Sequence, residues 1–182
     1  MVSTEQEKAR DFWYLSFACN GMNIKDIALL KYENLNDGKI EYFRAKTIRT
    51  KKGDLKKIEV FLNDYSKGII SKYGNTDTKG INYIFSIVSE NDTELMKHKK
   101  IKNFTRFINQ NLKKLAKSIG ITDEISSYWA RHSFATSAIR KGASMEFVSE
   151  ALSHSNMKTT QGYFSGFEDK DKLELMNSIM DF

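Results

Sequence analysis

Leu152-Ser153-His154-Ser155-Asn156-Met157-Lys158-Thr159-Thr160-Gln161-Gly162-Tyr163 is the stretch on which the reading of this chain turns. Leu152 closes an apolar run with helical spacing that begins near Ser144, and His154 follows directly where that run stops. The residues from Met157 to Tyr163 leave room for one more short helix. The spacing therefore predicts helices over 144–152 and 157–164, with an imidazole at the end of the first and a phenol at the end of the second. Each has an ordinary use: a histidine at a helix end interacts with the dipole, and Tyr163 is one of eight tyrosines.

One helix upstream stands Tyr128-Trp129-Ala130-Arg131-His132-Ser133-Phe134-Ala135-Thr136, within a helical pattern over 127–141. Ala130, Phe134 and Ala138 form one apolar strip, while Tyr128, Arg131 and Ala135 form another, because residues three or four apart share a helix face. A guanidinium on the face of a tyrosine suits a phosphate, since its planar fork meets two oxygens at once. For this segment alone, an arginine in an interfacial ion pair is the commoner case.

Working outward, Ile101, Phe104, Ile108, Leu112, Leu115 and Ile119 predict a helix over 99–119, with Gly120 as its C-terminal cap. At the start, Ser3 with Gln6 and Thr4 with Glu7 are overlapping capping boxes for a helix reaching about Cys19. Its apolar face is Phe12, Leu15, Ser16 and Cys19, broadened by Trp13 and Phe17. After Gly21, Asn23 caps a short helix carrying Ile24, Ile27, Ala28 and Leu30. The period then changes. Ile40, Tyr42, Ala45 and Thr47 read as one strand and Ile58, Val60 and Leu62 as another, with turn chemistry at Lys52-Gly53-Asp54, a β-hairpin. Asn63 or Asp64 caps a helix ending near Gly74. The run from Tyr83 to Val88 is a strand or buried coil, and 89–95 is a surface loop. The expected fold is mainly α with a small antiparallel β-sheet (α+β), in a single domain over 1–182 whose residues 168–182 form an amphipathic tail.

Composition sets the class. The 182 residues are 40% hydrophobic and 29% charged, as in ordinary soluble domains. No apolar run approaches the ~18 residues that span a bilayer, and the first residues lack signal-peptide features. The single cysteine, Cys19, forms no intrachain disulfide and supports no cysteine-rich zinc site. The cytoplasm is the default compartment. A net charge of +6 is unremarkable by itself. Its clustering is more informative: Arg49, Lys51, Lys52, Lys56 and Lys57 crowd one stretch, and Lys97, Lys99, Lys100 and Lys102 another. Such patches suit a polyanion, because neutralising phosphates releases condensed counterions.

In order along the chain, Ala130-Arg131-His132-Ser133-Phe134-Ala135-Thr136, then a short helix, then Leu152-x-His154-Ser155, then Thr159-Thr160-x-x-Tyr163 resemble the C-terminal signature of tyrosine recombinases, the phage integrase family. The likeness runs from about Phe12 through Tyr163. It implies the catalytic-domain fold of that family, with double-stranded DNA as substrate and neither metal nor nucleotide cofactor. Tyr163 would attack the scissile phosphate to give a 3′-phosphotyrosyl bond and a free 5′-hydroxyl, conserving the bond energy for religation. Arg131 would stabilise charge on the non-bridging oxygens and His154 would donate a hydrogen bond there. Family members carry a catalytic lysine on a β-hairpin, and Arg44-Ala45-Lys46-Thr47 resembles that strand. Lys46 would protonate the departing 5′-oxygen. Simple phosphate binding is its other use, and Lys51 and Lys52 compete with it for the role.

Two positions depart from the pattern. Where the family has an arginine in G-x-R-x-x-E, this chain has Asn23 in Gly21-Met22-Asn23-Ile24-Lys25-Asp26. Losing a charged donor from such a site costs about 3 kcal/mol or more, so either the domain is impaired or another cation fills the gap. Arg44 is the candidate, on the same strand face as Lys46 two residues away, with Lys25 a weaker one. Asp26 is a structural partner for the site or a helix surface charge. Tyr128 stands where the family has histidine. With a reference pKa of about 10, tyrosine positions a phosphate or nucleophile better than it accepts a proton. His132 is expected to buttress the helix.

The resemblance also implies a DNA-bound homotetramer, docking of the tail on a neighbouring protomer or on its own core, an N-terminal DNA-clamping domain absent from this chain, and a role in moving a genetic element. A non-cleaving DNA-binding module is the competing reading. A type IB topoisomerase shares the chemistry but fits the Leu152–Tyr163 arrangement less well. A hydrolytic metal nuclease fits poorly: the only histidines are His98, His132 and His154, with no carboxylate cluster at metal-ligand spacing.

Overall fold

Ser3 opens the first helix, α1 (Thr4–Ala18), through the expected capping box: its hydroxyl accepts from the Gln6 N–H, and the Gln6 side chain accepts from the Ser3 N–H. The computed structural model describes residues 2–50, 56–154 and 156–163, together with 166, 173, 176 and 177. Ala9, Phe12, Leu15 and Ser16 face inward along α1, as does Cys19 at its end. Phe12 sits at the centre of an aromatic cluster, in edge contact with Phe85 and Phe104 at centroid distances of 5.0 and 4.9 Å. Asp11 is also buried. Its carboxylate accepts from the Tyr73 hydroxyl and from Lys72 Nζ, both at 2.9 Å, which pins α1 to the helix that carries those residues, α4 (Asp64–Tyr73).

The second helix, α2 (Ile24–Ala28), starts after Asn23, whose side chain makes no capping bond. Its amide instead reaches Asp26 Oδ2 at 3.5 Å. A 3-10 turn (Tyr32–Asn34) leads into a three-stranded antiparallel sheet in the order β1 (Leu35–Asn36), β2 (Lys39–Tyr42), β3 (Ile58–Phe61). The first hairpin turns at Asp37 and Gly38, both with positive φ, the conformation that a two-residue hairpin loop favours. Ile40 pairs with Val60 and Tyr42 with Ile58, so one face of the sheet is buried. On the other face, Lys39 pairs with Glu59 and Lys57 with Glu41.

The expected strand over residues 44–47 is instead the start of a helix, α3 (Ala45–Thr50). Its cause is tertiary. Asp26 Oδ1, buried in the first turn of α2, accepts from the Ala45 N–H at 2.9 Å and caps the new helix, while the Arg44 carbonyl accepts from Ile48 N. Arg44 and Lys46 therefore do not share a strand face, and Asp26 is not a surface charge. The Lys52-Gly53-Asp54 turn, Lys51 and the Arg49 side chain lie outside the described residues.

Residues 83–88 form buried coil with two isolated bridges, Lys31 to Tyr83 and Gly74 to Phe85. The long helix α5 (Glu94–Ser118) begins five residues earlier than the spacing predicts. Thr93 caps it, and so the surface loop ends at 93 rather than 95. Ile108 and Leu112 on its buried side lie in one core with α1, and Ile101 packs with Ala28, Tyr83 and Val88. Three helices follow as expected: α6 (Trp129–Arg140), α7 (Met145–Ala151) and α8 (Met157–Gln161), the last ending three residues sooner. They enclose a second small core of Ala135, Val148 and Leu152, against which Tyr163 packs. Trp13 Nε1 donates to the Ser126 carbonyl at 3.2 Å and Phe17 meets Phe134, tying this unit to α1. The tail lies outside the described residues apart from Leu173, Met176 and Asn177. No helix among the described residues is long and apolar enough to cross a membrane.

Candidate active site

The loop between α1 and α2 sets the floor of the site. Asn20 and Gly21 both have positive φ, and the Ser16 hydroxyl donates to the Met22 carbonyl at 2.6 Å to hold the bend. This bend brings Gly21 against α6. The Gly21 carbonyl accepts from Arg131 Nη1 at 3.2 Å, and Arg131 Nη2 donates to the Leu152 carbonyl at the end of α7. Arg131 is 5% exposed, and these two carbonyls anchor its fork through Nη1 and Nη2.

A cavity of about 670 Å³ opens over this arginine. Asn23 and Asp26 from the α2 region line it, with Arg44 and Lys46 at the start of α3, Thr105 and Asn109 from α5, and Tyr128 and Arg131 at the start of α6. Asn109 Oδ1 accepts from the Ser127 N–H at 2.8 Å, which fixes the entry to α6 and with it Tyr128. Arg44 is near enough to depress the pKa of Arg131, second only to burial as a cause. Two cations are thus held together at a cost that a bound anion would relieve. Asp26, whose pKa burial raises, offsets part of this charge from below.

Beyond Arg131 lie His154 and Tyr163. Their rings stack within 4° of parallel at a centroid distance of 5.9 Å. His154 Nδ1 lies 2.9 Å from the buried Thr160 hydroxyl, which orients the imidazole. Burial first, then Arg131 and Arg44, lower the His154 pKa to about 4, so the ring is neutral at pH 7. The half-buried Tyr163 hydroxyl lies beside the Tyr128 hydroxyl and the Arg131 guanidinium, and burial raises its pKa. Of the residues singled out from the sequence, Arg44, Lys46, Tyr128 and Arg131 line the cavity, and His154 and Tyr163 adjoin it at Arg131. Ser155 lies outside the described residues.

The profile of the phage integrase family matches residues 2–169. This chain belongs to the phage integrase family. Within it, a segment of 54 residues is 43% identical to tyrosine recombinase XerD of Lacticaseibacillus casei, covering 30% of this chain and 18% of that protein. A segment of 99 residues is 30% identical to tyrosine recombinase XerC of Listeria welshimeri, covering 54% and 32%. The chain thus spans well under half the length of the curated relatives it matches. Among solved structures, the Tn1549 transposon integrase bound to circular intermediate DNA superposes with a TM-score of 0.65 over 95% of this chain and 60% of that one, at 15% identity. XerH bound to its palindromic difH substrate superposes with a TM-score of 0.60 over 100% and 48%, at 18% identity. These likenesses show that the fold is that of tyrosine recombinase catalytic domains.

Against the family pattern, Asn23 lines the cavity from the arginine's position, and Arg44 lines the same cavity. His132, expected only to buttress α6, lies in edge contact with both Tyr128 and Tyr163, at centroid distances of 4.7 and 4.8 Å. Its spacing of four from Tyr128 was the available signal.

Proposed function

We propose that this chain is the catalytic part of an enzyme that cuts and rejoins double-stranded DNA through a 3′-phosphotyrosyl intermediate. The convergence of two guanidiniums, Arg44 and Arg131, on one cavity beside Tyr163 and His154 carries this reading. A phosphodiester seated between the arginines has its non-bridging oxygens met by charge that is already in place, which is the arrangement that stabilises a pentacoordinate transition state. Tyr163 Oη attacks phosphorus, the bond to the 5′-oxygen breaks, and Lys46 supplies that oxygen with a proton. The tautomer in which Thr160 donates to His154 Nδ1 puts the ring proton on Nε2, where it can donate to the phosphate. Arg44 takes the part that the arginine at position 23 would have.

The DNA-bound states of the Tn1549 integrase and XerH support duplex DNA as the partner, and the former supports a role in moving a genetic element. Assembly into a tetramer on DNA in the cytoplasm belongs to the same proposal. A non-cleaving DNA-binding module is the second reading, favoured by Asn23 and Tyr128. Trapping of a covalent protein–DNA adduct on nicked duplexes, lost in Tyr163→Phe, distinguishes the two.

A further inference from the structure

We propose that His132 is the group that takes the phenol proton from Tyr163 as the nucleophile attacks. This rests on the strand-cleaving reading above and names a residue that neither the family pattern at Tyr128 nor the sequence spacing assigned to chemistry.

The phenol needs an acceptor. Burial disfavours the phenolate of Tyr163, so attack at neutral pH requires removal of the proton as the Tyr163 Oη–P bond forms. Tyr128, beside the hydroxyl, is itself a phenol, and Arg131 is a cation with no lone pair to offer. His154 stacks flat on the Tyr163 ring, has Nδ1 engaged with Thr160, and is made weakly basic by burial and by Arg131 and Arg44.

His132 is placed differently. It stands one helical turn after Tyr128 on α6, in edge contact with both phenol rings, inclined 65° to Tyr163 and 76° to Tyr128. It is exposed, so a proton taken from Tyr163 has a path to water. Imidazole is the side chain suited to exchanging protons at neutral pH, and catalytic hydrogen bonds commonly close only when substrate is seated. The step balances. The Tyr163 Oη–H bond breaks and its proton passes to an imidazole nitrogen, the Oη–P bond forms, and the P–O5′ bond breaks with its electron pair leaving on O5′, which Lys46 protonates. Rejoining runs the transfers backward, with the imidazolium returning its proton to the phenol.

The test measures single-turnover adduct formation by the complete protein on end-labelled duplexes, using a pool nicked at randomised sequences. His132→Phe keeps an aromatic ring between Tyr128 and Tyr163 without a proton acceptor, and His132→Ala leaves a space for added imidazole. The expected result is a fall of about 100-fold or more in both variants, with imidazole restoring part of the rate in His132→Ala alone. Duplexes with sulfur as the 5′-bridging atom, a leaving group that needs no proton, should rescue Lys46→Ala and leave both His132 variants slow. DNA binding at wild-type affinity reports that each variant is folded. A near-wild-type rate in His132→Phe overturns the proposal, as does rescue of the His132 variants by sulfur. Absence of any adduct from the wild-type protein overturns the strand-cleaving reading and this inference with it, whereas a wild-type adduct with unaffected His132 variants removes this inference alone.

Discussion

Gly21 and Arg131, 110 residues apart, are in direct contact: the Gly21 carbonyl accepts from Arg131 Nη1, and a Cβ on Gly21 would lie 2.8 Å from the Arg131 Cα. At a φ of +66°, this position combines a left-handed backbone with a close approach to α6. The Gly21→Ala substitution is therefore expected to destabilise the fold by about 2 kcal/mol, the sum of left-handed strain and displacement of Arg131. The midpoint of denaturant unfolding checks the first part. Weaker DNA cleavage per folded molecule checks the second.

Arg44 supplies the second guanidinium in the cavity. Removing one pre-placed donor from a developing anionic centre costs about 3 kcal/mol, or roughly a hundredfold in rate. Arg44→Ala is expected to slow adduct formation by that order, and Arg44→Lys, which keeps charge without the fork, by less. Adduct formation at the wild-type rate in Arg44→Ala would remove this residue from the site.

Asp26 holds α3 in place through the Ala45 N–H. Asp26→Asn keeps an acceptor while removing a charge whose burial is already unfavourable, so it is expected to cost little. Asp26→Ala leaves the cap unmade and is expected to cost about 1–2 kcal/mol. The difference between the two variants in thermal unfolding separates capping from charge.

The helices that build the site were legible because their signals are local. Ile101 through Leu112 repeat at helical spacing, Ser3 and Gln6 cap α1, and Arg131, His154 and Tyr163 stand at helix-scale intervals. The α3 helix was not legible. Its cap comes from Asp26, 19 residues away, and the alternation of Ile40 and Tyr42 recurs by chance, one residue out of step, at Ala45 and Thr47. The Asp37-Gly38 hairpin is a local signal that competes with the turn chemistry at Lys52-Gly53-Asp54. Nor did the clustered lysines act as one patch: Lys100 is bonded to the buried Asp92 and Lys97 to Glu94, so charge counted along the sequence overstates what faces a partner.

His154 links stability to pH. Its folded pKa, lowered to about 4, lies below the reference value of 6.5, so the unfolded chain binds a proton that the native chain refuses between these values. The contribution is fully present above about pH 6.5 and is lost as pH falls toward 4. His154→Gln is expected to flatten the stability profile between pH 6.5 and 5, above the range of most carboxylates. Denaturant midpoints at half-unit steps measure it. Equal slopes in both proteins would mean that His154 titrates alike in the folded and unfolded chains.

The central claim is tested most directly by digesting the protein–DNA adduct and locating the nucleotide remnant by mass spectrometry. The account predicts a single modified peptide carrying a 3′-phosphate-linked nucleotide on Tyr163, and no adduct from Tyr163→Phe. A remnant on another residue, or tight DNA binding to the cognate site with no adduct at all, would contradict it.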